Sequence, residues 1–151
     1  MRRSGRGLRG DRAFQGAFLI GVGLMAAVDE IVFHQILAWH HFYDRSTPAI
    51  GLLSDGLLHA AEILALVGGG FLLADARRRS ALRPRTAWAA GLTGAGLFKL
   101  WDGVVDHKLL RVHQVRYDVD LLLYDSAWIA SGAVLLAAGL LLLPRRRRAT
   151  A

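Results

Sequence analysis

The chain has 151 residues, 54% of them apolar, a formal net charge of +7 and no cysteine. That length fits a single domain, and the apolar share exceeds the globular average. The missing thiols exclude disulfide exchange, thiolate metal sites and iron–sulfur clusters, and a methionine-lined copper(I) path is disfavoured with only Met1 and Met25 present.

An arginine-rich start, residues 1–12, leads into a first apolar block from Ala13 to Phe33, long enough to cross a bilayer. It lacks a clear small-x-small cleavage site, so a retained helix is expected rather than a signal peptide. Asp29, Glu30 and His34 fall near its end, and His40 and His41 follow. Asp55 opens the second block, Leu57 to Ala74, which only His59 and Glu62 interrupt. The third block, Ala87 to Asp106, carries Lys99, Asp102 and Asp106, with His107 and His113 just beyond. The fourth, Leu121 to Leu143, runs 23 residues with Asp125 as its one charge, and an arginine-rich tail, residues 144–151, closes the chain. Four such blocks predict an all-α integral membrane protein, a four-helix bundle forming one domain over residues 1–151.

The positive charge is placed like a topology signal. Fourteen arginines lie before the first block, between the second and third, and after the fourth, whereas the other two connections hold only Arg45, Lys108, Arg111 and Arg116. This positive-inside pattern puts both termini in the cytoplasm and argues against a nucleic-acid footprint. The expected partner is the lipid bilayer, with a homo-oligomer or an envelope or respiratory protein as further options. The excess of arginine over lysine, with much Ala, Leu and Gly, points to a high-GC bacterial genome and a multi-pass protein of the inner membrane.

The chain also repeats itself. A shift of 73 residues lays GVGLMAAVDEIVFHQILAWH (Gly21 to His40) over GAGLFKLWDGVVDHKLLRVH (Gly94 to His113), with eight of twenty positions identical. The shared signature is G-x-G-L-x4-D-x4-H-x5-H. Two parallel copies of a helix pair are expected, residues 13–79 and 85–148, related about an axis along the membrane normal. Packing glycines alone would not select the aspartates and histidines.

Ionisable groups inside a bilayer are costly and mark sites or pathways. Here they gather in one outer layer, and mixed imidazole and carboxylate donors suit zinc, iron, manganese or copper(II). The expected ligands are Asp29, His34, His40, Asp55, His59, Asp102, His107 and His113, with Glu30, His41, Glu62, Asp106 and Asp125 held more loosely. Asp29 and His34 lie about 140° apart on an ideal α-helix, so they meet at one centre only if the helix is distorted. A metalloenzyme or metal-handling protein is the leading reading. A proton or cation relay through Asp29, Glu62 and Asp102 is the alternative, and haem held by opposing histidines comes after it.

DEIVFHQILAWHH, SDGLLH and LWDGVVDHKLLRVHQVR together resemble the bacterial predicted-membrane-protein family catalogued as domain of unknown function 2243. The resemblance implies a small four-helix membrane protein with no assigned activity. It supports Asp29, His34, His40, His41, Asp55, His59, Asp102, His107 and His113. The chain departs from the family pattern at Glu30, where glycine is usual, and at Lys108 and Gln114, where histidine is.

Overall fold

The computed structural model describes residues 11–144; the arginine-rich ends, with Arg2, Arg3, Arg6, Arg9 and Arg145 to Arg148, lie outside the described residues. Among the described residues the fold is all-helical, with four long helices and no strand. Helix α1 spans Arg12–Asp29 and runs on as a π-helix, Glu30–Ile36. Helix α2 spans Pro48–Arg78, α3 spans Pro84–Trp101 and continues as a second π-helix, Asp102–Leu109, and α4 spans Leu121–Leu142.

Local chemistry fixes the helix starts. The Asp11 carboxylate accepts from the Ala13 N–H, Thr47 caps α2 ahead of Pro48, Pro84 opens α3, and Asp120 accepts from the Leu122 N–H. Each device satisfies or removes an amide that the first turn leaves unpaired.

The helices pack as an open row in the order α2, α1, α3, α4, and among the described residues no packing joins the two outer helices. The two inner helices carry the close contact: a Cβ at Gly21 would run into the Gly91 carbonyl, and one at Gly94 into the Phe18 carbonyl. With no hydrophobic drive between helices in lipid, such backbone approach is what holds them together.

The burial pattern is inside out by globular standards. The buried apolar residues are mostly small, among them Ala17, Ala26, Ala89 and Ala90, while Leu64, Phe71, Leu122 and Leu141 are exposed. Large apolar faces turned outward with polar groups inward suit a lipid solvent. Among the described residues three helical stretches are long and apolar enough to cross a membrane: Arg12–Ile36, Pro48–Arg78 and Leu121–Leu142. The α3 stretch is less apolar than these three, with Lys99 and Asp102 among several glycines and threonines.

Both ends of the row are tied. At one, Asp75 of α2 takes Arg12 at 2.5 Å and Arg79 at 2.8 Å, and Arg85 donates to the Leu142 carbonyl at 3.1 Å. At the other, the connections after the two π segments meet, with the Asp44 N–H donating to the Val112 carbonyl at 3.0 Å. The acids and histidines of interest collect beneath that second junction.

Candidate metal centre

Each π segment ends in the same way. The Leu37 N–H closes onto the Val32 carbonyl and the Leu110 N–H onto the Val105 carbonyl. Ala38 and Arg111 then adopt left-handed backbone, with φ of 48° and 51°. Non-glycine residues pay a steric cost there, which persists only where the surroundings impose it. The turn sends the chain back over the helix end, and so brings His40 above Asp29 and His113 above Asp102.

Three sets of side chains offer ligand atoms lying within 4.8 Å of one another: Asp29, His34 and His40; Asp102, His107 and His113; and Glu30, His34 and Asp55. All are buried. In the second set, Nε2 of His107 lies 3.0 Å from Nε2 of His113 and 3.1 Å from Asp102 Oδ2, and His113 Nε2 lies 3.3 Å from Asp102 Oδ1. Ligand atoms sharing an ion at about 2.0–2.1 Å are separated by about 2.9–3.4 Å. The set is therefore already spaced like the face of a coordination polyhedron. The first set is looser, with His34 Nε2 at 3.8 Å from Asp29 Oδ2.

The two sets adjoin. His34 and His40 rings meet at 4.4 Å, His107 and His113 at 4.7 Å, and His40 stacks on His113 at 4.7 Å. The outward ring nitrogens face other groups, and three of the four are hydrogen-bonded. His40 Nδ1–H donates to the Val115 carbonyl at 2.9 Å, and His113 Nδ1–H donates to the Phe42 carbonyl at 2.8 Å. His34 Nδ1 is 3.1 Å from Asp55, and His107 Nδ1 is 3.3 Å from Asp125. Carbonyls and carboxylates behind the ring are the partners that orient metal-binding histidines. The Nε2 atoms of His34 and His40 have no hydrogen-bond partner, and neither has Nδ1 of His107.

Electrostatics separates the two loop histidines. Burial, then the neighbouring His113 and His34, push His40 down to about 2, so its Nε2 stays a free lone pair. Burial also lowers His113, but the hydrogen bond and charge of Asp102 outweigh it and raise the imidazole above its ordinary value. Over the centre lies a cavity of about 370 Å³ lined by Ala38, Trp39, His40, His41, Asp44 and Tyr117. Burial and then Asp44 push the Tyr117 hydroxyl up to about 12, so it stays neutral there.

Of the remaining expected residues, His41 lies 2.5 Å from Asp55, and Lys108 is ion-paired with Asp125. Asp106 is buried but belongs to none of the three sets. His59 stands apart: its side chain is 49% exposed and pairs with Glu62 at 2.6 Å. Sequence reasoning missed Trp128, buried against His107 with the Lys99 ammonium 3.6 Å over its ring centroid. It also missed the Phe42 and Val115 carbonyls, since any residue supplies a carbonyl and no pattern marks one.

A family model described as a predicted membrane protein, domain of unknown function 2243, matches residues 16–146. No curated protein and no solved structure matches the chain.

Proposed function

The chain belongs to that family of membrane proteins, matched from residue 16 to 146, and from this premise we propose that it holds transition-metal ions between α1 and α3. The ligands are His34, His40, His107 and His113 with Asp29 and Asp102, arranged as two adjoining positions. Zinc, iron, manganese and copper(II) suit that donor set.

One observation carries the reading. Nε2 of His107 faces Nε2 of His113 at 3.0 Å, while the Nδ1 atoms face Asp125 and the Phe42 carbonyl. The Phe42 carbonyl holds the proton on His113 Nδ1, which turns His113 Nε2 toward His107 Nε2 and the Asp102 carboxylate, so that three donor groups converge at 3.0–3.3 Å. A cation between them engages all three and leaves the His113 hydrogen bond to the Phe42 carbonyl intact. The surrounding charge agrees. Asp29, Glu30, Asp55, Asp102, Asp106 and Asp125 are buried around the histidines, and Lys99 and Lys108 offset part of that charge. Unbalanced carboxylates at such depth carry a heavy desolvation cost. The side-by-side stacking of His40 and His113 leaves no gap for a macrocycle, which favours bare ions over haem.

Equivalent residues in both halves support two parallel copies of a helix pair. Asp29, His34, Ala38 and His40 correspond to Asp102, His107, Arg111 and His113. With arginines at the opposite end, the positive-inside rule puts both termini in the cytoplasm of a bacterial cell and opens the cavity by His40 to the outer side. The protein then acts as a metalloenzyme or metal-handling partner at the outer face of the inner membrane.

Elemental analysis and an optical spectrum of protein purified in mild detergent test this. The expected result is bound metal without a Soret band, lost in H107A and D102N. Metal-free wild type after native-like purification, or metal unaffected by both changes, overturns the proposal.

A further inference from the structure

Resting on that reading, we propose a third divalent-cation position on the α2 side of the centre, formed by Glu30, Asp55 and His34 Nδ1. His34 then bridges, with Nε2 toward the central ions and Nδ1 toward the third. The fitting ion is a first-row divalent metal that accepts imidazole and carboxylate together, such as zinc or manganese. Its binding displaces the His34 Nδ1 proton to solvent and leaves an imidazolate shared between two cations.

The spacing is that of a ligand set. His34 Nδ1 lies 2.8 Å from Glu30 Oε2 and 3.1 Å from Asp55 Oδ1. The three residues are 2%, 3% and 1% exposed in chain order Glu30, His34, Asp55. Glu30 Oε2 has no hydrogen-bond partner despite its closeness to the ring, because the alignment is wrong for one. Its other oxygen is occupied by the Gln35 amide at 2.8 Å. The remaining Asp55 oxygen takes His41 at 2.5 Å, and the Phe42 N–H donates to Oδ1 at 2.7 Å.

The other half of the molecule shows what is missing here. Where Glu30 and Gln35 stand in the first half, Gly103 and Lys108 stand in the second. There a single carboxylate, Asp125, backs His107, and the Lys108 ammonium pairs with it directly. Around this ring nitrogen the first half has one carboxylate more, and the His41 imidazole rather than an ammonium meets Asp55. Two buried carboxylates around one ring nitrogen, lacking the cation their counterpart carries, make a cation site rather than a mere support for His34.

The test is zinc stoichiometry by equilibrium dialysis and elemental analysis on the full chain in detergent, for wild type, E30Q and Q35K. Q35K supplies the ammonium that the second half already has. Both variants are expected to bind one zinc fewer than wild type while keeping the zinc that H107A loses. Equal stoichiometry in wild type and both variants overturns the third position and leaves the central reading standing. Loss of all zinc in folded E30Q also overturns it, by moving Glu30 into the central set. Zinc absent from wild type overturns both proposals together.

Discussion

His40 and His113 stack with ring planes 5° apart and centroids 4.7 Å apart, each anchored by a backbone carbonyl from the other's connection. Loss of either ring removes a ligand and a stacking partner at once. His113→Ala is expected to weaken zinc binding by more than ~100-fold, beyond the effect of losing an outer-shell group. Competition with a chelator of known affinity measures it, and an unchanged affinity would remove His113 from the centre.

The carboxylates behind the rings act at one remove. Asp125→Asn keeps the shape but weakens the acceptor facing His107 Nδ1, and zinc affinity should fall roughly 10–100-fold with the fold intact. The same titration reads the change, and a variant that binds like wild type contradicts the assigned orientation.

Gly21 and Gly94 set the distance between the two inner helices. A leucine at Gly94 must displace the Phe18 carbonyl, and overpacking of this kind costs about 1–3 kcal/mol. Gly94→Leu should lower the thermal midpoint in detergent and release metal, because the two ligand sets separate with the helices. Normal metal content in a destabilised Gly94→Leu would show that the sets do not depend on this contact.

Protons should be displaced unequally. His113 sits above its ordinary value, chiefly because Asp102 outweighs burial, and so carries part of a proton near neutral pH. His40, pushed down to about 2 by burial and its histidine neighbours, carries none. As pH falls from alkaline values, protons compete with metal first at His113. Calorimetry in two buffers of different ionisation enthalpy should show proton release on zinc binding that shrinks in His113→Gln. Equal release in that variant would sink the assignment.

Much of this was legible in the sequence, for identifiable reasons. Apolar blocks and their flanking arginines report helix number because lipid allows few alternatives. The repeated aspartate and histidine spacing picked out six residues that the structure gathers into two facing sets. The path by which Asp29 reaches His34 was not legible. An α-helix separates them by about 140°, and the wider turns of the π segment close that gap, as they do for Asp102 and His107. Nothing in a hydropathy pattern distinguishes the two kinds of turn. His59 shares a stripe with Asp55 and Glu62, yet α2 packs on α1 and its π extension and not on α3 or α4, and the His59 side chain is half exposed beside Glu62. Neighbour order, which single-sequence periodicity cannot supply, sets that exposure.

The exchange of carbonyls between the two connections carries a consequence for assembly. Phe42 steadies His113 and Val115 steadies His40, so neither half can set its own ligand. Residues 1–80 and 81–151 expressed as separate fragments should each be incompetent alone, and regain metal only when made together. The proposed centre is a handshake across the chain, so it should form only after both halves are inserted and docked, and newly made protein should not trap an ion before then.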